Sequence, residues 1–96
     1  MAGLLLSCSG LAEPSVEEGR KVFTELAEPG CPVCHTLADA GATGAIGPDL
    51  DELAPDEAKV AAAVTNGVGI MPAFNETLTS EQIAAVARYV ATVTGQ

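Results

Sequence analysis

From residue 15 onward the apolar positions recur at helical spacing and are broken by Gly/Pro clusters. Val16, Gly19, Val22, Phe23 and Leu26 fall on one face. Ser15-Val16-Glu17-Glu18 before them reads as a capping box, with Ser at the N-cap and Glu three residues on. Pro29-Gly30 marks the end of that helix. Gly41, Gly44, Gly47 and Pro48 make residues 41–48 a loop. Pro55 suits the first position of another helix, Val60 and Val64 lie on its inner side, and Gly67 fits the position just past its end. Thr79-Ser80-Glu81-Gln82 is a second capping box; Ile83, Val86, Val90 and Val93 follow on one face, and Gly95 stops the helix. No stretch alternates for long enough to read as a strand. The pattern predicts an all-α domain of three to four helices with a long loop region in the middle, without internal repeats.

Composition changes this picture in one respect. The chain has 96 residues, enough for one small domain. Apolar residues make up 48% but aromatics only 3%, with no Trp, and much of the apolar share is Ala. Such a core is poor in volume, and a domain of this size ordinarily needs a staple, a metal or a cofactor to complete it. Charge excludes some partners. Four Lys and Arg against 13 Asp and Glu leave a net charge of −9. Nucleic-acid binding needs clustered cations, and an anionic membrane surface repels such a chain.

Residues 1–12 read as a separate segment, the remnant of an export signal or a lipoprotein-type tail, and residues 13–96 as one domain. The segment is uncharged, with the apolar run Leu4-Leu5-Leu6, too short to span a bilayer. Gly10-Leu11-Ala12 resembles a small-residue cleavage site, which would leave Glu13 first. Leu5-Leu6-Ser7-Cys8 resembles a bacterial lipobox, which would place a lipid tether on Cys8. A frayed tail is the plain alternative.

The chemistry concentrates at Cys31-Pro32-Val33-Cys34-His35. A C-x-x-C-H run reads as a c-type haem attachment site. Two thiols three residues apart can add to the two vinyl groups of one porphyrin, and the following His is carried beneath the iron. His35 is the only His in the chain. Three other readings stay open at this point. A thiol-disulfide oxidoreductase using Cys31-Pro32-Val33-Cys34 needs a low thiol pKa and a βαβ setting. A structural zinc site needs four ligands, and Cys31, Cys34 and His35 make three. A plain disulfide leaves the adjacent His unexplained. The haem reading demands a second axial ligand, and methionine is the one that raises the reduction potential. Apart from Met1 the chain offers only Met71, in a Gly/Pro loop where no helical face needs filling. Pro72 holds Met71 to extended conformations.

Taken in order, these pieces resemble the class I monohaem cytochromes c, the small soluble type of bacteria, from about Val16 to Thr94. Gly19-x-x-x-Phe23 is similar to the family's first helix, Cys31-Pro32-Val33-Cys34-His35 to its attachment motif, Gly47-Pro48-Asp49-Leu50 to its G-P-x-L segment, and Met71-Pro72 to its distal methionine segment. Tyr89 is similar to the aromatic of the last helix that packs on the first. The resemblance implies a cytochrome c fold around one haem c (iron), bound through two thioethers at Cys31 and Cys34 and ligated by His35 and Met71. It further implies that the Pro48 carbonyl orients His35, and that Gly19, Phe23 and Tyr89 form a helix crossing. The implied activity is single-electron transfer between redox protein partners in the periplasm, by a monomer that is not an enzyme. Pro32 is not the family's commonest choice. The Gly41–Gly47 stretch offers few groups for the haem propionates, with Thr43, Asn75 and backbone amides as candidates.

Residues 60–75 and 29–38 carry no charge. Glu25, Glu28, Asp39, Asp49, Asp51, Glu52, Asp56, Glu57 and Glu76 lie outside them. A neutral patch inside an acidic rim suits a transient partner with a basic docking surface; a merely solvating acidic surface is the alternative. A cytochrome subunit of a larger dehydrogenase complex, and a gas sensor or weak peroxidase with a labile Met71, are the other functions to be weighed.

Overall fold

The computed structural model describes residues 15–95. The segment 1–12, with Cys8 and both processing motifs, lies outside the described residues. The chain runs through helix α1 (Val16–Lys21), a pair of two-residue strands β1 (Thr36–Leu37) and β2 (Ala42–Thr43), and helices α2 (Leu50–Leu53), α3 (Glu57–Asn66) and α4 (Ser80–Thr94).

Both capping boxes form. Glu18 N donates to Ser15 Oγ at 2.9 Å while Glu18 Oε1 accepts from Ser15 N at 3.5 Å. Gln82 N donates to Thr79 Oγ1 at 3.0 Å, and Gln82 Oε1 accepts from Thr79 N at 2.8 Å. Each pair satisfies two backbone donors that a helix start leaves open.

α1 does not end as an ordinary helix. Val22–Leu26 continue it as a π-helical turn, closed by Ala27 N donating to Val22 O at 3.0 Å. The wider turn changes which side chains face inward. Val22, Phe23 and Ala27 are buried, whereas Leu26, expected on the inner face, is 42% exposed. The helix therefore closes before Pro29-Gly30, with Ala27 already extended. α3 also starts later than the pattern suggests. Asp56 is its N-cap, with Oδ1 accepting from Lys59 N at 2.7 Å, and Pro55 lies just outside, buried. A short α2, capped by Asp49, occupies what reads in the sequence as a link. The antiparallel β1–β2 pair is too short to show as alternation in the sequence.

The core is the crossing of α1 and α4. Gly19 packs so tightly that an added Cβ would strike the Ala85 carbonyl and Tyr89 Cβ. Phe23 meets Tyr89 edge-on, 5.9 Å between ring centroids at 67°. Tyr89, Phe23, Val22, Val86 and Val90 are each almost fully buried.

A polar clamp closes the crossing from outside. Asp39, four residues after His35, offers a single oxygen to both helices. Its Oδ2 accepts from Tyr89 Oη at 2.7 Å and from Arg20 Nη2 and Nε at 2.9 and 3.1 Å. The Arg20 guanidinium lies 5.4 Å from the Tyr89 ring centroid. Asp39 is thus an internal partner rather than a member of a free acidic rim. The tyrosine and arginine bonds hold the Asp39 carboxyl below its usual range, while burial and the Asp39 bond push the Tyr89 phenol up to about 12. The two act on opposite sides of neutrality. The depressed Asp39 contributes stability that is present above the ordinary carboxylate range and is lost as pH falls through its folded value. The raised Tyr89 favours the neutral phenol, so its contribution is complete below pH 10 and is lost as pH rises toward 12. Tyr89→Phe is expected to lower the unfolding free energy by about 1–2 kcal/mol at pH 7. It should also flatten the decline between pH 10 and 12. Urea titrations at the three pH values check both; an unchanged alkaline decline would clear Tyr89 of any part in it.

Candidate functional site

The residues singled out in the sequence line one cavity of about 510 Å³: Cys31, Cys34, His35, Pro48 and Met71 are all on its wall. The rest of the lining is mostly apolar. Phe23 and α4's Val86 and Val90 form one part, α3's Val60 and Val64 another, and Leu50, Leu53 and Phe74 complete it. This volume falls in the range of sites for large organic ligands.

Cys31–Val33 form a single 3₁₀ turn. His35 N and Cys34 N both donate to Cys31 O, at 3.0 and 3.1 Å. The tight turn keeps both sulfurs and the imidazole beside one cavity. The next stretch is pinned by backbone contact with the glycine loop. Gly44 N donates to His35 O at 3.1 Å, Gly47 N to Cys34 O at 2.6 Å, and Thr36 Oγ1 to Gly44 O at 2.8 Å. A Cβ at Gly44 would come within 2.7 Å of the His35 nitrogen, so only glycine permits this approach.

The imidazole is held from two sides. His35 Nδ1 lies 2.8 Å from the Pro48 carbonyl oxygen, which can only accept, so Nδ1 is the donor, and in the neutral imidazole the free lone pair is then on Nε2. Gly47 packs on the ring, where a Cβ would lie 2.8 Å from Cε1.

Met71 arrives from the segment after α3. Gly67 caps that helix at φ +78°, and a side chain there would press on the Met71 carbonyl at 2.8 Å. Val68 and Met71 exchange backbone bonds, N to O, at 3.1 and 2.8 Å. Phe74 N donates to Val64 O at 2.8 Å and anchors the loop to α3. Met71 is half-buried against the core.

The competing readings fare worse. Burial pushes the Cys31 thiol up to about 11, the reverse of what an attacking thiolate needs. The sulfurs of Cys31 and Cys34 are not joined in a disulfide, and the two tiny antiparallel strands give no βαβ setting. No group of three His, Cys, Asp or Glu side chains assembles into a metal site among the described residues.

Sequence reasoning missed several residues here. Phe74, buried at 4%, and the more exposed Leu53 line the cavity from segments with no periodic face. Lys59 lines the cavity, whereas Thr43 and Asn75 do not. A lysine one residue before the inward Val60 was the available signal.

Residues 14–90 match the family model described as cytochrome c oxidase, cbb3-type, subunit III. Among solved structures, the c-type cytochrome SorU from Sinorhizobium meliloti is similar at 59% identity and a TM-score of 0.80. The match covers 84% of this chain and 92% of that one. No curated protein matches the chain.

Gly47→Val is expected to cost about 1–3 kcal/mol in urea unfolding, because the ring cannot move away without leaving the Pro48 carbonyl. Ala45→Val, at an exposed neighbour, should stay within about 0.5 kcal/mol. Equal losses would show that the imidazole is not seated on Gly47.

Proposed function

Since the chain belongs to the cytochrome c family, as a domain of the cbb3-type subunit III kind carrying covalently bound haem c, we propose that it is a single-electron carrier of the periplasm with His35 and Met71 as axial ligands. The observation that carries this reading is the meeting of Cys31, Cys34, His35 and Met71 on the wall of one apolar cavity. The bound haem supplies a one-electron ferric/ferrous couple.

The chain's own residues do the rest. Cys31 and Cys34 anchor the group through two thioethers. The Pro48 carbonyl accepts a hydrogen bond from His35 Nδ1–H, which favours the tautomer that leaves Nε2 for iron and raises its basicity. Met71 offers a thioether, which favours the ferrous state. The apolar lining excludes water and disfavours the more charged ferric form. With His35 and Met71 both bound to the iron, no open position would remain for a substrate, as suits a carrier rather than an enzyme.

Ile46, Val68 and Ile70 line the cavity and stand exposed at 62%, 62% and 85%. They make an uncharged apolar rim on a chain of net charge −9. That combination supports brief docking to a redox partner whose contact face is basic. Among the described residues no helix is long and apolar enough to cross a membrane. A lipid tether at Cys8 and a monomeric state belong to the same proposal, and the mass of the native chain distinguishes a tethered Cys8 from a start at Glu13.

Met71→Ala is expected to abolish the far-red ferric sulfur-to-iron absorption, lower the reduction potential and let carbon monoxide bind the reduced protein. Survival of the far-red band would remove Met71 as ligand. The electron-transfer rate with a cationic partner should fall as salt rises from about 10 to 150 mM, over which the screening length shortens from about 30 to 8 Å. A rate indifferent to salt would leave the acidic surface a solvating one.

A further inference from the structure

Among the described residues, the cavity wall holds one Lys, Arg, Asp or Glu, and the reading above does not use it. The chain has four Lys and Arg, namely Arg20, Lys21, Lys59 and Arg88. Arg20 is bound to Asp39, and Arg88 Nε lies 3.8 Å from Glu57 Oε2. Lys21 is exposed on α1 and does not line the cavity. Lys59 does line it, beside Leu53, Pro55 and Val60. It is an exposed residue of that lining, the setting in which a lysine lays its stem on apolar surface and keeps its ammonium in water. Only its backbone nitrogen is engaged, by Asp56; the ammonium makes no ion pair with any described residue.

In a chain with 13 carboxylates this placement is informative. The neighbouring acids are otherwise engaged: Asp56 and Asp49 cap α3 and α2, Glu57 faces Arg88, and Asp51 accepts from Ala38 N at 2.8 Å. Glu52 and Glu81 complete the charged groups of α2, α3 and α4, and none of these lines the cavity. A cationic side chain in the lining of an apolar cavity calls for an anion that enters with the ligand. Resting on the haem reading, we infer that Lys59 binds a propionate carboxylate of the haem and thereby sets the reduction potential and its pH dependence.

The physical consequence has a definite sign. Lys59 stabilises the ionised propionate and keeps its pKa low. An ionised propionate favours the ferric state, so the potential falls as pH rises through that pKa. Lys59 itself favours the ferrous state, which carries one more negative charge. Removing it lowers the potential and moves the pH step upward.

The test is potentiometry of the holoprotein between pH 4 and 9 for the native chain, Lys59→Gln, Lys59→Arg and Lys21→Gln. In Lys59→Gln the step is expected to move up by about one pH unit, with a lower potential above it and a difference that shrinks in high salt. Lys59→Arg should restore the native profile. Lys21→Gln removes the same net charge away from the cavity and should leave the step in place. Equal displacement in Lys59→Gln and Lys21→Gln, or none in either, overturns the assignment of Lys59. An intact low-spin spectrum with the far-red band in every variant keeps that failure separate from a failure of the haem reading, in which no variant would carry the band.

Discussion

The rest of the structure depends on the backbone contact at Gly19. A glycine inside a helix costs about 1 kcal/mol relative to alanine. Here it lets α1 rest on the Ala85 carbonyl and the Tyr89 Cβ of α4, where no side chain fits. That approach sets Phe23 edge-on to Tyr89 and turns Phe23, Val86 and Val90 toward the same cavity. Burial of each large side chain contributes about 1.5–3 kcal/mol, more than the glycine costs. Arg20, the next residue, then reaches Asp39, which also takes the Tyr89 hydroxyl. Asp39 belongs to the segment just after His35. The helix crossing and the placing of the haem-attachment run are therefore one arrangement, joined by a single carboxylate oxygen.

The attachment run needs this support because it has little regular structure of its own. A 3₁₀ turn and two residues of strand hold it. Its rigidity comes from the glycine loop that crosses it, through the bonds to His35 O and Cys34 O and the close packing of Gly44 and Gly47. The methionine side uses the same device, with Gly67 where the chain leaves α3. Helices wall the cavity, while loops carry Cys31, Cys34, His35 and Met71 to it, the residues proposed above to hold the haem. This division suits a carrier. In the proposed reading, fixed walls would exclude water, and His35 and Met71 would keep their places when the charge changes.

The legible features of the sequence were those whose cause is local. Capping boxes act over three residues, and Ser15–Glu18 and Thr79–Gln82 both form as read. The C-x-x-C-H run carries its chemistry in its spacing, and its neighbours on the cavity wall, Pro48 and Met71, were named from the sequence. Features settled by tertiary contact were not legible. The π-helical turn that takes Leu26 outward and Ala27 inward leaves no mark in the pattern. Phe74 and Leu78 lie in a segment without periodicity and are buried by docking on α3 and α4. Asp39 reads as one surface acid among many, since its partners are 19 and 50 residues away.

The acidic surface has more than one task, and this bears on how the protein meets others. Asp49 and Asp56 cap helices, Asp51 holds Ala38 N, Asp39 clamps two helices and Glu57 pairs with Arg88. These charges are placed by the needs of the fold, so their pattern is not shaped for one partner. Their sum still produces a negative field, because a cap or a clamp keeps its formal charge. Discrimination has to come from elsewhere, and the uncharged rim of Ile46, Val68 and Ile70 is the surface able to supply it. The rim is small, and an interface built on it falls among the weak, short-lived ones. Toward a partner with a basic face, as proposed above, a broad negative field with a small apolar contact would give fast arrival and fast release, which is what a carrier visiting two partners in turn requires.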